Sequence, residues 1–209
     1  MPPRIPGPAY RIVTRRLVIR CYEPSDAQML DDAANASKEH LLQFMPWAHD
    51  LPMPFQDRLA LVRRFRGNFD LGNEFVYGVF DPEETRVLGG TGLHTRVGED
   101  AREIGYWIHV DFAGQGLATE LSAALTRVAF EVDEVSRVEI HCDPANVRSA
   151  NIPRKLGYTH EATLRNRITN RDGSLRDAMI WTLLREEYPH TPSASAEIEA
   201  FDAIGRKIL

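Results

Sequence analysis

The first third of the chain combines one alternating segment with three helical ones. Residues 16–22 alternate between apolar and polar side chains closely enough to predict a strand. An N-cap at Ser25 or Asp26 predicts a helix to about residue 35, followed by a second helical piece at 37–44. Apolar residues in 55–69 recur at helical spacing, with arginines on the opposite face, and predict a third helix.

The middle of the chain changes to strand-like patterns. Residues 74–80, 87–96 and 102–110 are separated by short turns and predict three consecutive antiparallel strands. The patterns that follow predict a long helix, a strand, a shorter helix and a closing hairpin, at 117–132, 137–142, 148–156, 158–168 and 175–184. This order predicts one mixed α/β sheet with helices on both faces.

The composition limits the class of protein. Of the 209 residues 43% are hydrophobic and 26% charged, as in globular proteins, and no apolar run approaches the roughly 20 residues of a membrane span. The opening residues lack the apolar core of a secretory signal, so we expect a cytoplasmic protein. The net charge of −5 argues against nucleic-acid binding. Two cysteines, with no paired cysteine or histidine motif, predict neither a disulfide framework nor a metal site.

The two ends of the chain differ from its middle. Four prolines in the first eight residues predict a flexible leader at 1–13, before one domain at 14–188. The segment 189–209 begins with a linker rich in proline, serine and alanine. Its apolar residues recur at helical steps and predict a last helix: Ile198, Phe201, Ile204 and Ile208. A short helix is marginal alone in water, so we expect this one to pack across a homodimer.

A turn between a strand and a helix is the clearest chemical feature of the sequence. Gly114 and Gly116 flank one residue, and the predicted helix begins at Leu117. Backbone N–H groups at such a helix start can bind a pyrophosphate that glycines allow to approach closely. Two alternatives remain open at this point: a tight turn without a ligand, and a dinucleotide motif weakened by Thr119. A P-loop is excluded because 102–137 contains no lysine.

Four short motifs carry a resemblance to a known family. They are Glu-Ile-Gly-Tyr-Trp-Ile at 103–108, Gly-Gln-Gly-Leu-Ala-Thr-Glu at 114–120, Cys-Asp-Pro-Ala-Asn-Val-Arg-Ser at 142–149 and Lys-Leu-Gly-Tyr at 155–158. In this order they resemble the GNAT superfamily of acyl-CoA-dependent N-acetyltransferases, and the segments 14–20 and 45–47 are similar to its Rim-type ribosomal-protein members. The resemblance covers about 14–184. It implies a mostly antiparallel central sheet with helices on both faces and a splayed strand pair that holds acyl-CoA.

The resemblance also implies how acetyl-CoA is held. Pantetheine is expected to pair with backbone groups of Ile108, His109 and Val110, where an N–H group would also hold the reaction's oxyanion. The residues expected to bind the pyrophosphate and adjoining groups are Gly114, Gln115, Gly116, Leu117, Ala118 and Thr119. The family's usual Arg or Gln before this turn is Ala113 here, so backbone contacts must suffice, with Arg148 as a substitute cation.

Asn146 and Ser149 match the family's Asn-x-x-Ser pair. An asparagine can both donate to and accept from a pantetheine amide, and the serine hydroxyl can protonate a departing thiolate. Many relatives place a tyrosine general acid where this chain has Pro153, so Ser149 or water must serve. The structural alternative is that Asn146 ends a turn and Ser149 caps a helix.

Glu103 is the predicted catalytic base. Attack on a thioester needs a neutral amine, and only about one lysine-like amine in a thousand is neutral at pH 7. A nearby carboxylate can accept the excess proton directly or through water. An equally supported alternative is an ion pair of Glu103 with Arg96 or Arg102. His109 is a second candidate base, although a packing role explains it more simply.

Three aromatic residues are predicted to line the acceptor pocket: Trp47, Tyr77 and Tyr106. The function implied is transfer of acetyl from acetyl-CoA to a primary amine by direct attack, with a protein N-terminus or a small-molecule amine as the acceptor. The alternative is a non-catalytic acyl-CoA-binding sensor, since Ala113 and Pro153 depart from the family pattern. A nucleotide-dependent oxidoreductase is the third possibility.

Overall fold

The computed structural model describes residues 8–209, in which a central β-sheet is covered by helices on both faces. Within that range nine strands form the sheet: β1 (Arg11–Val13), β2 (Val18–Cys21), β3 (Phe75–Phe80), β4 (Val87–His94), β5 (Ala101–Ile108), β6 (Arg137–Cys142), β7 (Thr159–Thr169), β8 (Leu175–Leu184) and β9 (Glu199–Phe201).

The same part of the chain contains five α-helices. These are α1 (Ala27–Ala36), α2 (Lys38–Leu41), α3 (Phe55–Asp70), α4 (Leu117–Glu131) and α5 (Val147–Lys155). The 3-10 turn Pro46–Asp50 lies before α3, where the prolines predict a loop. The helices and strands predicted between 16 and 184 are therefore confirmed, with boundaries that move by a few residues.

The strands follow the order β7-β8-β6-β5-β4-β3-β2-β1-β9 across the sheet. Neighbouring strands are antiparallel except for the parallel pair of β5 and β6. The predicted three-strand meander (β3 to β5) and closing hairpin (β7 and β8) are confirmed. The fold class, a mixed α/β fold with a mostly antiparallel sheet, is confirmed with them.

Each face of the sheet has its own hydrophobic core. On one face, Leu121 and Leu125 of α4 pack with Ile104 and Ile140 of the sheet, and all four are almost completely buried. On the other face, α1 and α3 contribute a second cluster that includes Val62. Because successive strand residues point to opposite faces, β5 and β6 present alternate side chains to each core.

The parallel pair β5 and β6 separates part-way along its length. The two strands pair only from Ala101 to Glu103, although β5 continues to Ile108 and β6 to Cys142. The far edge of β6 pairs with β8 along its whole length, so β6 stays in the sheet while β5 diverges from it. The predicted splayed strand pair is therefore present.

The predicted leader is wrong at its C-terminal end. Residues 11–13 form β1, which pairs with β2 on one side and β9 on the other. Ile12 is fully buried, because its side chain joins the α4-side core. Residues 1–7 of that predicted leader lie outside the described residues.

The predicted C-terminal helix is also wrong. Glu199–Phe201 is a strand that pairs with β1, and the chain then turns back at Gly205 so that the Ile208 N–H donates to the Ala200 carbonyl at 2.8 Å. Pairing with the open edge of β1 gives the backbone groups of β9 hydrogen-bond partners. A short helix in water would be only marginally stable and would leave its apolar side chains exposed. Ile198 packs against the chain's own core, so the dimer inferred from this tail loses its basis and we do not propose it.

Among the described helices, none has the length and apolar character that crossing a membrane requires.

Candidate active site

The gap between β5 and β6 is part of a cavity of about 790 Å³. Its lining includes Glu103, Tyr106, His141 and Ser149 near the diverging strands. The cavity extends to the loop before α3 and to α3 itself, where the chain contributes several apolar side chains and one arginine, Arg58.

The two faces of the sheet give this cavity two chemically different sides. Tyr106 and Cys142 belong to the face that α4 covers. Glu103 lies three residues before Tyr106 on β5, so its side chain belongs to the opposite face of the sheet. The parallel register places Glu139 of β6 beside Glu103, and His141, two residues further on, belongs to the same face as Glu139. We name the two sides after their residues: the Tyr106 side and the Glu103 side.

His141 is a candidate functional residue that the sequence analysis missed. Its Nε2 lies 2.6 Å from Oε2 of Glu139, while its Nδ1 lies 3.6 Å from Oε2 of Glu103, too far for a hydrogen bond. An ionised carboxylate can only accept, so the Nε2–H form is the tautomer that Glu139 selects. In that tautomer the Nδ1 lone pair is free to take a proton. The alternation of β6 places His141 with Glu139, which is the pattern that could have revealed it.

Glu103 lines the cavity and also forms the ion pair that was its alternative explanation. Arg96 donates to both of its carboxylate oxygens, at 2.7 and 2.5 Å. Burial by itself would raise the pKa of Glu103, but the hydrogen bonds from Arg96, and the positive charge that His141 carries whenever it is protonated, lower it below its ordinary value. A carboxylate with a lowered pKa stays ionised and is a weak base. Arg102 pairs with Asp133 instead.

On the Tyr106 side, a tyrosine and a serine form a hydroxyl pair. The Tyr106 hydroxyl lies 3.0 Å from Oγ of Ser149, and either oxygen can be the donor. Burial raises the pKa of Tyr106 above its ordinary value, so this hydroxyl keeps its proton at neutral pH. α5 carries Pro153 where many relatives have a tyrosine, and here a tyrosine hydroxyl in the cavity lining comes from β5. Asn146 lines the cavity, and its Oδ1 caps α5 by accepting from the Ser149 N–H at 3.1 Å.

The register of β5 decides which backbone groups face the gap. The His109 N–H donates to the Leu88 carbonyl at 2.8 Å, on the β4 side. Alternate residues of an antiparallel strand bond to the same neighbour, so Tyr106 and Ile108 direct their N–H and C=O groups toward β6. Since β6 has diverged there, the Ile108 N–H and C=O are positioned to meet a ligand in the gap.

Two of the three residues predicted to contact pantetheine have backbone N–H groups that already form hydrogen bonds within the chain. The His109 N–H is engaged by Leu88, and the imidazole Nδ1 accepts from the Asp111 N–H at 3.2 Å. The Val110 N–H donates to Oγ of Ser37 at 3.1 Å. The N–H groups of His109 and Val110 are therefore already satisfied by neighbouring segments, and the binding of pantetheine by backbone groups of these two residues stays a prediction. The His109 ring lies 5.5 Å from the Phe112 ring between centroids, which supports the packing explanation.

The turn before α4 has the backbone that a phosphate site requires. Gly114 and Gly116 adopt φ values of +79° and +82°, which favour glycine, and a Cβ on Gly114 would meet nothing within 4 Å. The first bond of α4 runs from the Glu120 N–H to the Gly116 carbonyl. The N–H groups of Leu117, Ala118 and Thr119 come before this first bond and therefore have no partner within the helix.

Arg16 is a second residue of this region that the sequence analysis did not identify. Its Nη1 donates to the Gln115 carbonyl at 2.9 Å and its Nε to Glu120 at 2.6 Å. Its Nη2 lies 3.6 Å from the position that a Cβ on Gly116 would take. A guanidinium therefore lies at the turn where Ala113 supplies no side-chain donor.

The comparison with known families decides between the ligands that such a gap and turn could hold. An acetyltransferase (GNAT) domain model matches residues 16–159, more than half of the chain. The chain belongs to the GNAT acetyltransferase family. It is accordingly an N-acetyltransferase that uses acetyl-CoA.

Relatives of this acetyltransferase agree with that assignment. The [ribosomal protein uS5]-alanine N-acetyltransferase of Escherichia coli (strain K12) is 29% identical over 189 residues, which cover 87% of this chain and 94% of the relative. A microcin C7 self-immunity acetyltransferase, solved with acetyl-CoA and AMP, has a TM-score of 0.75 at 17% identity and covers 82% and 93% of the two chains. A ribosomal L7/L12 alpha-N-protein acetyltransferase with coenzyme A has a TM-score of 0.74 at 20% identity, with 82% and 96% covered. At these identities the two structures show the shared GNAT fold.

The predicted acceptor aromatics of the acetyltransferase have different positions. Trp47 lines the cavity, packs edge-to-face on Trp107 with 5.7 Å between ring centroids, and is 37% exposed. Tyr106 lines it too, but its hydroxyl belongs to the pair with Ser149. Tyr77 borders the cavity while remaining fully buried, and its hydroxyl donates to the Ala9 carbonyl at 3.0 Å. Tyr77 therefore offers no free polar group to an acceptor.

Acetyl-CoA fits this acetyltransferase in two respects that the structure itself provides. The gap presents the unpaired edge of β5 at Ile108, which matches the amides of an extended pantetheine arm. The turn at Gly114 and Gly116 offers helix-start N–H groups, with the cation of Arg16 beside them, to a pyrophosphate.

Proposed function

We propose that this acetyltransferase modifies the N-terminal amine of a protein by direct attack of that amine on the acetyl-CoA thioester. The observation that carries the mechanism is the division of the gap: a histidine–carboxylate pair lies on the Glu103 side and a hydroxyl pair on the Tyr106 side. One side is suited to removing a proton from the amine and the other to giving one to the thiolate.

A protein N-terminus as the acceptor is supported by the name of the Escherichia coli relative. The Escherichia coli enzyme acts on an alanine of a ribosomal protein. A protein N-terminal amine has a pKa of about 8, so roughly a tenth of it is neutral at pH 7, compared with about a thousandth of a lysine amine. Such an acceptor needs only modest help from a base, which suits an imidazole better than a strong base.

His141 is the base in this proposal. Glu139 holds the ring through Nε2, His141 lines the cavity, and its Nδ1 is the nitrogen proposed to take the proton. Glu103, kept ionised by Arg96, stabilises the positive charge that the amine acquires as it attacks. Its catalytic contribution, predicted as that of a base, is thus proposed to be electrostatic.

Ser149 is the proton donor to the departing thiolate, and Tyr106 replenishes its proton. The 3.0 Å contact allows the proton to pass from one hydroxyl oxygen to the other. The Ile108 N–H is the proposed partner of the oxyanion, and Asn146 contributes to the pantetheine site from the start of α5.

The test is an acceptor panel under acetyl-CoA. A short peptide with a free N-terminal amine is compared with the same peptide acetylated at the N-terminus but carrying one lysine, and with a polyamine. We expect thiol release and a mass gain of one acetyl group on the first peptide alone. Acetylation of the lysine peptide or the polyamine instead would overturn the acceptor class. Binding of acetyl-CoA without thiol release on any acceptor would favour the sensor alternative.

A further inference from the structure

The far end of the cavity contains a buried arginine with an unused donor. Arg58 lies on α3, is 2% exposed and lines the cavity. Its Nε donates to Oδ1 of Asp31 on α1 at 3.0 Å. Its Nη2 is buried and has no hydrogen-bond partner among residues 8–209. A buried guanidinium N–H without a partner is costly, so this atom is expected to meet an acceptor oxygen in the working enzyme.

Asp31 does not accept a hydrogen bond from Nη2, although it binds the same guanidinium group. Its Oδ1 accepts from Arg58, and its Oδ2 accepts from Nδ2 of Asn35 at 3.0 Å. Both carboxylate oxygens are therefore engaged. Because Arg58 lines the cavity, a ligand bound there can supply an acceptor for Nη2.

The surroundings of Arg58 define the chemistry of that ligand. Leu30, Leu61 and Phe65 line the cavity in the same region, on α1 and α3. Asp31 already neutralises the Arg58 charge, so a carboxylate ligand would leave an uncompensated negative charge among apolar side chains. A carbonyl oxygen accepts the hydrogen bond without adding charge. The subsite thus favours a carbonyl group carried by an apolar body.

We propose that Arg58 binds a backbone carbonyl oxygen of the acceptor, so that the acceptor is a peptide with an apolar segment near its N-terminus. This inference rests on the proposed function and makes it more specific. Polyamines and alkylamines carry no such carbonyl, and a free amino acid carries a carboxylate in its place. Arg58 is a specificity residue in this proposal and takes no part in the proton transfers.

The experiment compares three acceptors on the wild-type enzyme: a tetrapeptide amide with apolar side chains, an alkylamine of similar length and a free apolar amino acid. We expect kcat/KM to be highest for the peptide. The same set is measured with Arg58→Met, which keeps the length of the side chain, and with Arg64→Met, which alters an exposed arginine of the same helix. Circular dichroism and acetyl-CoA affinity establish that each variant is folded.

For Arg58→Met we expect KM for the peptide to rise about 10-fold, the loss of one hydrogen bond to a charged donor. The alkylamine, the acetyl-CoA affinity and all values for Arg64→Met should stay unchanged. Equal use of peptide and alkylamine by the wild-type enzyme, or an equal loss for both in Arg58→Met, would overturn the proposal and indicate that water satisfies Nη2. If the enzyme preferred the free amino acid, the group bound by Arg58 would be a carboxylate and not a carbonyl oxygen, and the proposal would also be overturned.

The proposal remains testable if the proposed function fails. If no acceptor is acetylated, calorimetric binding of the tetrapeptide amide to the acetyl-CoA-loaded protein decides the matter. Weaker peptide binding by Arg58→Met than by Arg64→Met supports the subsite. Equal binding by the two variants, or no binding to the wild-type protein, overturns it. Should Arg58→Met not fold, Arg58→Lys takes its place, because it keeps a cation opposite Asp31 but lacks the second guanidinium N–H.

Discussion

Nε2 of His141 lies 2.6 Å from a carboxylate oxygen of Glu139, and the two residues share the Glu103 side of the gap. A carboxylate on one ring nitrogen leaves the other nitrogen to act on a substrate. Both side chains come from β6, so the geometry of the pair depends mainly on the conformation of that one strand.

The first prediction follows from this contact. His141→Gln should lower kcat by about 100-fold or more, in the range that general-base catalysis supplies, with acetyl-CoA affinity nearly unchanged. Glu139→Gln should give a smaller loss, because the ring keeps a neutral partner. The control is His160→Gln, which alters an exposed histidine of β7. A kcat of His141→Gln equal to that of the parent would assign proton removal to water or Glu103.

The hydroxyl pair gives a second prediction. Tyr106→Phe and Ser149→Ala should each lower kcat, and the double variant should lose little more than Ser149→Ala alone, because both hydroxyls serve one proton transfer. Tyr158→Phe is the matched control: it removes a buried tyrosine hydroxyl whose partner, Thr126, lies in the core. Purely additive effects of the two changes on log kcat would show that the hydroxyls act separately.

The turn before α4 gives a third prediction. In Gly116→Val the added side chain would occupy the approach to the helix-start N–H groups beside Arg16, and acetyl-CoA affinity should fall at least about 10-fold. Gly205→Val is the control, since Gly205 also has a positive φ, of +78°, and lies in the C-terminal turn. Unchanged calorimetric affinity in a folded Gly116→Val protein would remove the pyrophosphate from this turn.

The ion pair of Glu103 predicts a pH dependence of stability. Because the pKa of Glu103 is lowered in the folded protein, its contribution to the free energy of unfolding is present above the ordinary carboxyl pKa of about 4.3 and is lost as pH falls through the folded value. Thermal unfolding should show wild type above Glu103→Gln at pH 7, with the difference in Tm shrinking below about pH 4. A difference that stays constant from pH 7 to 3 would contradict the lowered pKa.

The C-terminal strand gives the last prediction. Truncation after Tyr188 removes β9 and the contact of Arg127 with the Ala196 carbonyl, at 2.6 Å, so Tm should fall by several degrees. The number of subunits measured by light scattering should not change, because the tail packs on its own chain. A change from dimer to monomer at unchanged Tm would restore the dimer that the helical spacing suggested.

Local sequence patterns predicted most of the fold because the residues that signal each element lie close together in the chain. The meander, the closing hairpin and the turn at Gly114 and Gly116 are of this kind. The tail was the exception. Its three- and four-residue spacing indicated a helix, but pairing with the edge of β1, almost 190 residues away, overrode it.

The sequence by itself determined the family, and it predicted the acetyl-CoA turn and the site residues Glu103, Tyr106 and Ser149, since each belongs to a contiguous motif. Only the tertiary structure decided which atoms are free. It paired Glu103 with Arg96, placed His141 against Glu139 on the same side, and engaged the Val110 N–H with Ser37. The contact of Val110 with Ser37 joins segments far apart in the chain, whereas the other two lie across one hairpin and within one strand. In all three, the arrangement in space decides which of the possible hydrogen bonds is formed.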